Sequence, residues 1–203
     1  MDHIEKELEA GRAVILPTET VYGIFAKALN KEAVDYIYEL KRRPRDKALN
    51  LNVAGGEDIR LYSKNQPNYL TKLIDSFLPG PLTIILQAND KVPGWIHSGL
   101  DTVGFRIPAH PKTLDLIRKY GPLVGPSANL SGHASGTKYK AIVSEFDQVV
   151  PGIEDDDFLT GQDSTILDIS GSKASILRQG SITKADFLAQ VPELSFEEDE
   201  LPQ

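Results

Sequence analysis

Five cations within seven residues mark one place where the chain can bind an anion. They lie in KRRPRDK (41–47), where a helical pattern closes and Pro44 turns the chain. A lysine ammonium is a compact point charge and an arginine guanidinium a planar fork of donors, a pair suited to phosphate oxygens. The alternative is a basic helix C-terminus that complements the macrodipole and needs no ligand. For an anion site, Lys41 and Arg43 would project toward it, and we expect both to be solvent-accessible.

A second candidate is the Gly-, Ser- and Asn-rich loop GPSANLSGHASGT (125–137), which follows a strand pattern. Small hydroxyl and amide side chains with exposed backbone N–H groups make cradles for phosphate or carboxylate, especially before a helix. A plain flexible loop is the competing interpretation, and composition alone favours it. Two weaker fragments, DSTILD (163–168) and ILRQG (176–180), place a Ser-Thr pair before one strand and an arginine after another.

Several chemistries find no support in the sequence. It lacks a Walker A pattern, a dinucleotide glycine fingerprint, an HExxH motif and a nucleophile elbow. It has no cysteine, which excludes a disulfide framework, a thiolate zinc site and a cysteine nucleophile. The four histidines are scattered, so protein-supplied metal ligands are disfavoured, whereas a cation carried in by a nucleotide is not. The acidic run 154–157 is typical of a solvated loop.

The net charge of −7 is unevenly distributed. Residues 193–203 hold five of the 29 acidic residues and none of the 22 basic ones, so the rest of the chain has a net charge of −2. This balance disfavours a protein that coats nucleic acid, because phosphate backbones are bound through surplus Lys and Arg. The sequence shows no leader pattern and no apolar stretch of membrane-spanning length, so we expect an unprocessed, cytoplasmic protein without a membrane partner.

Strand and helix patterns interleave around these candidate residues. Strand patterns cover 13–17, 49–53, 82–86, 102–107, 164–169 and 174–177, and PLVGPSANLSG (122–132) combines strand and loop. Helical patterns cover 2–10, 30–40, 67–77, 111–120, 140–146 and 184–190. This order predicts an α/β fold: a single domain, residues 1–192, whose twisted, mixed β-sheet is flanked by helices. Residues 193–203 are expected to form an acidic, mobile tail.

Taken in order, seven segments resemble the YrdC-like family of threonylcarbamoyl-AMP synthases. They are AVILPTETVYG (13–23), ELKRRP (39–44), LPGPLTIIL (78–86), LDTVGFRIPAHP (100–111), PLVGPSANLSG (122–132), STILDI (164–169) and ILRQG (176–180). The collinear match extends from residue 13 to residue 180. The resemblance implies a YrdC-like fold in its single-domain form, because the chain has no room for the C-terminal domain of longer relatives.

The resemblance also implies a reaction. Members of the family join L-threonine, bicarbonate or CO2, and ATP into threonylcarbamoyl-adenylate with release of pyrophosphate. A separate tRNA threonylcarbamoyltransferase uses the product to modify an adenosine beside the anticodon. ATP is expected as Mg-ATP, without a metal held by the protein. No protein nucleophile is needed, so this nucleotidyltransferase would act by positioning and preorganised electrostatics.

Site residues are carried over from the family position by position. Lys41 and Arg43 match the K-x-R segment and are expected to act catalytically on the ATP phosphates. The other expected nucleotide contacts are Thr102, Ser127, Asn129, Ser135 and Arg178, and the expected threonine contacts are Thr18, Arg106 and Ser164. Turn capping is the alternative role for each Ser or Thr. The sequence departs from the family at Asn52, near where many relatives have a histidine that contacts threonine.

Two other functions stay open. One is a carbamoyl-adenylating domain like that of hydrogenase-maturation carbamoyltransferases, which normally lies in a far longer chain with zinc-finger parts. The other is a double-stranded RNA-binding module, because some relatives present a basic concave face. The near-neutral body and acidic tail allow at most weak contact with tRNA or double-stranded RNA.

Overall fold

Eight helices and nine strands occur in residues 2–147 and 150–197, the part of the chain that the computed structural model describes. The strands are β1 (Val14–Pro17), β2 (Tyr22–Lys27), β3 (Leu51–Asn52), β4 (Ser63–Lys64), β5 (Leu82–Ala88), β6 (Thr102–Arg106), β7 (Leu123–Val124), β8 (Thr165–Asp168) and β9 (Ser175–Arg178). The helices are α1 (Asp2–Glu9), α2 (Lys31–Leu40), α3 (Gly56–Tyr62), α4 (Leu70–Phe77), α5 (Gly94–His97), α6 (Pro111–Tyr120), α7 (Tyr139–Glu145) and α8 (Lys184–Gln190). A 3-10 turn covers Asp156–Phe158.

The strands form one mixed sheet in the order β1-β2-β7-β3-β6-β5-β8-β9, with β4 paired to β5. The β3–β6 and β5–β8 pairs are parallel, and the remaining pairs are antiparallel. The prediction of an α/β fold with a mixed sheet is therefore confirmed. None of the described helices is both long enough and apolar enough to cross a membrane.

Alternate side chains of β1 enter two different hydrophobic clusters. Val14 and Leu16 pack with α1 and α6 on one side of the sheet, whereas Ile15 joins the larger cluster on the other side. This division follows from the two-residue period of a strand, whose successive side chains point to opposite faces. Burying each such side chain stabilises the fold by roughly 1.5–3 kcal/mol. Both faces of the sheet are thus covered at β1.

Helix α2 positions the basic segment. The Asn30 side chain caps its N-terminus by accepting hydrogen bonds from the amides of Glu32 at 3.0 Å and Ala33 at 3.3 Å. Its buried side chains are Ala33, Val34, Ile37 and Tyr38. The helix ends at Lys41, and Arg42 then takes a left-handed backbone conformation with φ of 49°. The chain therefore turns sharply just before Arg43.

The first residues of the acidic C-terminal segment pack on the domain. Leu194 is buried, and Ala174 exchanges backbone hydrogen bonds with Ser195 and Glu197 at 2.7 and 3.0 Å. A salt bridge of 3.1 Å joins Glu193 to Lys72 of α4. Residues 198–203, the rest of the segment expected to be mobile, lie outside the described residues.

The acidic run 154–157, expected to be solvated, makes specific contacts. The Asp155 carboxylate lies 3.1 Å from Nε2 of the buried His110. The Asp156 carboxylate accepts hydrogen bonds from the Tyr22 hydroxyl at 2.9 Å and the Tyr139 amide at 2.8 Å. The run thus keeps exposed side chains, with Asp155 40% exposed, while Asp155 and Asp156 also bind partners distant in sequence.

Candidate active site

A polar cavity of about 300 Å³ is bounded by strands β2, β3, β5, β6, β8 and β9 and by the loops that follow β1, α2 and β7 and precede β8. It is lined by Thr18, Val21, Tyr22, Gly23, Arg43, Ala48, Asn50, Asn52, Thr83, Arg106, Gly125, Pro126, Ser127, Asp163, Ser164, Ile166 and Arg178. Six of the ten predicted site residues are in this lining: Thr18, Arg43, Arg106, Ser127, Ser164 and Arg178. Segments far apart in sequence thus converge on one cavity of a size typical of small-molecule sites.

Three guanidinium groups face the cavity from separate elements: Arg43 after α2, Arg106 at the end of β6 and Arg178 at the end of β9. Low-dielectric walls strengthen the attraction of such groups for an anion. Arg43 is held in place by backbone carbonyls of its own loop, donating to Ala48 at 2.8 Å and Lys47 at 3.3 Å. These bonds engage two of the five N–H donors of its guanidinium, so Arg43 keeps donors for a ligand.

Lys41 is buried, contrary to the expectation that it is solvent-accessible. Only 2% of its surface is exposed, and it is not among the cavity-lining residues. Its ammonium donates to the Ser127 carbonyl oxygen at 2.5 Å and to the Asn129 carbonyl oxygen. Burial, together with the charge of Arg43, lowers the pKa of Lys41 to about 8, while Glu145 opposes the shift. The expectation was wrong because the segment folds back after α2 and draws the lysine under the 125–137 loop.

The Gly-, Ser- and Asn-rich loop brings Ser127 to the cavity and keeps Asn129 inside itself. Asn129 is buried, and its side-chain amide donates to the carbonyls of Leu130 and His133, both at 2.9 Å. Ser135 lies further along the same loop, with its hydroxyl 3.4 Å from Oδ1 of Asp163. Neither Asn129 nor Ser135 is among the residues that line the cavity. The loop is therefore shaped by its own polar side chains.

The Thr-Glu-Thr loop after β1 wraps around Arg106. Nη2 of Arg106 donates to Oε1 of Glu19 at 2.7 Å, to the Thr20 hydroxyl at 2.6 Å and to the Thr18 hydroxyl at 3.3 Å. The other Glu19 oxygen accepts the Ala109 amide at 2.8 Å. Arg106 and Glu19 are 13% and 14% exposed. Arg106 is thus fixed in direction by an internal carboxylate, a partner that the sequence interpretation did not assign.

Ser164 and Arg178 form one unit across the β8–β9 pair. The Arg178 guanidinium donates to the Ser164 carbonyl at 2.9 Å and to its hydroxyl at 3.0 Å. The Ser164 hydroxyl also lies 3.0 Å from that of Thr83. The glycine of ILRQG permits this approach, because a Cβ on Gly180 would lie 2.4 Å from the Asp163 carbonyl oxygen and 2.4 Å from the Thr165 nitrogen. The two weak fragments therefore build one corner of the cavity.

Thr102 is the predicted site residue that the fold separates most clearly from the cavity. It begins β6, paired with Gln87, whereas Arg106 ends the same strand. Four residues of extended chain correspond to about 13 Å. Thr102 does not line the cavity, because it lies at the opposite end of β6 from Arg106.

Two asparagines of β3 and its approach line the cavity. Asn50 and Asn52 occur in LNLNV (49–53), where alternation places them on the same side of the strand. Gly104 of the neighbouring strand makes room for Asn50, because a Cβ there would lie 2.2 Å from Oδ1 of Asn50. The Asn52 amide lies 3.4 Å from the Leu123 carbonyl. Two polar residues two apart in an apolar strand are the signal that would have marked Asn50 together with Asn52.

Tyr22 and Asp163 also line the cavity without having been assigned from the sequence. Burial raises the pKa of the Tyr22 phenol, and its hydroxyl accepts the Asp155 amide at 2.8 Å. The Asp163 side chain is 40% exposed and lies 3.9 Å from Nη1 of Arg178. Among residues 2–147 and 150–197, no group of three or more His, Cys, Asp or Glu side chains is arranged to hold a metal ion.

Known proteins share this fold and much of this sequence. The family model for Sua5, YciO and YrdC, described as telomere recombination, matches residues 6–180. A threonylcarbamoyl-AMP synthase of Pyrococcus abyssi is 38% identical over 177 residues, covering 86% of this chain and 52% of the relative. One of Bacillus subtilis is 38% identical over 187 residues, covering 91% and 54%. The chain thus spans about half the length of these curated relatives.

A solved structure agrees with the sequence comparison. P. abyssi Sua5 complexed with L-threonine superposes with a TM-score of 0.88 at 34% identity, over 96% of this chain and 58% of that one. The match of the family model covers most of the chain and includes every segment that forms the cavity. The resemblance inferred from seven sequence segments is confirmed: the chain belongs to the Sua5/YciO/YrdC family.

Proposed function

We propose that this chain synthesises L-threonylcarbamoyl-adenylate from L-threonine, CO2 or bicarbonate, and ATP, releasing pyrophosphate. The observation that carries the proposal is the convergence of Arg43, Arg106 and Arg178 around one cavity, together with the hydroxyl groups of Thr18, Tyr22, Thr83, Ser127 and Ser164. The substrates bring a triphosphate and a carboxylate, and three guanidinium groups on separate elements match two separate anionic groups. The names of the curated relatives and the threonine in the P. abyssi structure support the same assignment.

We assign the phosphates of ATP to one side of the cavity. Arg43 and Arg178 would bind phosphate oxygens, and the Ser127 hydroxyl, on the loop after β7, would donate to one of them. Magnesium would arrive with ATP as part of the substrate. Charge on the departing pyrophosphate would be stabilised by donors that the fold has already oriented, which is the larger part of catalysis in phosphoryl chemistry.

We assign threonine to the other side of the cavity. Arg106 would bind the substrate carboxylate, and Thr18 and Ser164 would contact its polar groups. Lys41 acts in this proposal through the loop whose carbonyls it binds, so its effect on ATP is indirect. Asn129 and Ser135 shape the same loop, and Thr102 has no direct role.

The reaction needs no protein nucleophile. The threonine nitrogen attacks CO2 to form a carbamate, and a carbamate oxygen attacks the α-phosphorus of ATP while the bond to pyrophosphate breaks. When one cavity holds all three substrates, these bimolecular steps become effectively unimolecular, which lowers the entropic part of the barrier. A tRNA threonylcarbamoyltransferase in the cytoplasm would consume the adenylate.

Incubation with ATP, magnesium, bicarbonate and labelled L-threonine tests the proposal. The expected result is pyrophosphate together with an adenylate that carries the threonine label. Pyrophosphate release that is indifferent to threonine would contradict the proposal. Tight binding of double-stranded RNA without any adenylate formed would favour the RNA-binding module.

A further inference from the structure

Asp163 is the one acidic residue among the described residues that line the cavity. The other charged lining residues are the three arginines, so the Asp163 carboxylate is opposite in charge to the rest of the site. A cavity that served phosphate alone would gain nothing from a carboxylate, which repels phosphate oxygens. A zwitterionic amino acid, by contrast, requires both signs of charge.

The contacts of Asp163 leave its carboxylate available. Its oxygens lie 3.4 Å from the Ser135 hydroxyl and 3.9 Å from Arg178, both long for strong hydrogen bonds. Glu19, the other carboxylate near the site, has both oxygens engaged, by Arg106 at 2.7 Å and by the Ala109 amide at 2.8 Å. Asp163 therefore retains acceptor capacity that Glu19 has already used.

Asp163 lies in the corner of the cavity where the two proposed substrate positions meet. Its neighbour in sequence is Ser164, assigned to threonine, and its neighbour in space is Arg178, assigned to the nucleotide. The threonine nitrogen becomes part of the group that attacks the α-phosphorus, so it must lie at this boundary. The Asp163 carboxylate is therefore an available acceptor beside the position proposed for this nitrogen.

We propose that Asp163 binds the α-amino group of threonine and accepts its proton as the carbamate forms. This inference rests on the proposed function and names the acid–base group of the same site. The ammonium first loses one proton to solvent, and the freed nitrogen lone pair forms a bond to the carbon of CO2. One C=O electron pair moves onto oxygen, which gives a zwitterionic adduct.

That adduct then loses a proton from nitrogen to the Asp163 carboxylate, leaving a neutral carbamate nitrogen and a negatively charged carbamate oxygen. The adduct is far more acidic than an ammonium ion, so a carboxylate is a competent base for this step. Because the side chain is 40% exposed, the proton then passes from Asp163 to solvent.

Binding is measured first, by calorimetry without turnover, on the whole chain and on Asp163→Asn. The probes are L-threonine and 3-hydroxybutanoate, which is threonine without its amino group. The wild-type protein is expected to prefer threonine, and Asp163→Asn to reduce threonine affinity about tenfold while affinity for 3-hydroxybutanoate changes little. Asp157→Asn, the same change at an exposed position of the same loop, serves as the control.

Turnover tests proton acceptance separately. At saturating threonine, Asp163→Asn is expected to lower kcat about a hundredfold with the ATP KM unchanged, and Asp163→Glu to restore part of the rate. Equal weakening of threonine and 3-hydroxybutanoate, a raised ATP KM, or behaviour matching Asp157→Asn would overturn the inference. A wild-type chain that binds threonine but makes no adenylate would overturn the proposed function alone, because the calorimetry still tests Asp163.

Discussion

The ammonium nitrogen of Lys41 lies 2.5 Å from the carbonyl oxygen of Ser127, a residue 86 positions further along the chain. The same nitrogen donates to the Asn129 carbonyl, and the Lys41 carbonyl accepts the Ser131 amide at 3.0 Å. The side chain and the backbone carbonyl of Lys41 thereby both join the end of α2 to the loop after β7. Through Ser127, which lines the cavity, Lys41 thus supports the site without entering it.

Replacement of Lys41 by Met is expected to loosen this loop without unfolding the chain. Two carbonyls lose a charged donor, but the cost of burying the ammonium disappears as well, so these terms oppose each other. Amide exchange in residues 127–133 should rise at least about tenfold, and kcat should fall with it. Unchanged exchange together with weaker ATP binding would contradict this account and make Lys41 a direct phosphate contact. Lys47→Met, an exposed lysine of the same segment, is the control.

Stability should depend on pH through Lys41. Its pKa is about 8 in the folded protein, against an ordinary lysine value of 10.5. Between these values the unfolded chain binds more protons, so unfolding becomes harder as pH rises, by at most about 1.4 kcal/mol per pH unit. Below pH 8 the penalty for the buried charge is fully present. The difference in unfolding free energy between wild type and Lys41→Met, measured in urea at pH 8 and pH 10, should therefore grow in favour of the wild type. A difference that stays constant with pH would refute this.

Replacement of Glu19, which pairs with Arg106, should destabilise the Thr-Glu-Thr loop. Glu19→Ala leaves the largely buried Arg106 without its carboxylate and the Ala109 amide without its acceptor, an expected loss of about 3 kcal/mol. Because Arg106 is assigned to the threonine carboxylate, saturating threonine should raise the melting temperature of Glu19→Ala more than that of the wild type. Glu57→Ala, at an exposed position of α3, should behave like the wild type. Equal threonine shifts in all three proteins would argue against that assignment.

Gly180 should tolerate no side chain. A Cβ there would lie 2.4 Å from two backbone atoms, so Gly180→Ala must displace the Ser164 segment and is expected to cost about 1–3 kcal/mol. Denaturant unfolding measures the loss, and the Arg178–Ser164 contacts should weaken with it. Gly171→Ala is the matched control, because its Cβ would have only the Lys173 carbonyl within range, at 4.0 Å. Equal stabilities of the two variants would be inconsistent with the packing described here.

Elements with strong local signals were predictable from the sequence. Helix α6 begins at Pro111 and ends before Gly121, and α8 begins after its Thr183 cap, where the helical patterns predicted them. Strand β2 was missed because YGIFAK is buried almost throughout and has no polar alternation. Helix α3 was missed because it is short and its Gly55 cap has no side chain.

For the site residues, too, positions set by local elements were predictable from the sequence, and positions set by distant contacts were not. Six of the residues singled out from the sequence line the cavity, because each lies at or near the end of an element that the pattern indicates, and the substrates assigned to them stay predictions: Thr18, Arg43, Arg106, Ser127, Ser164 and Arg178. The burial of Lys41 depends on a loop 86 positions away, and the distance of Thr102 depends on which end of β6 faces the cavity. Local sequence patterns therefore predict neither the burial of Lys41 nor the distance of Thr102 from the cavity.

The most direct test of the central claim is exchange of labelled pyrophosphate into ATP. If one cavity holds threonine, CO2 and ATP together, exchange should require both threonine and bicarbonate, because the adenylate must form before pyrophosphate can reverse the reaction. Exchange should fall strongly in Arg43→Met, which removes a proposed phosphate contact. Exchange without threonine, or no exchange when all substrates are present, would contradict the account.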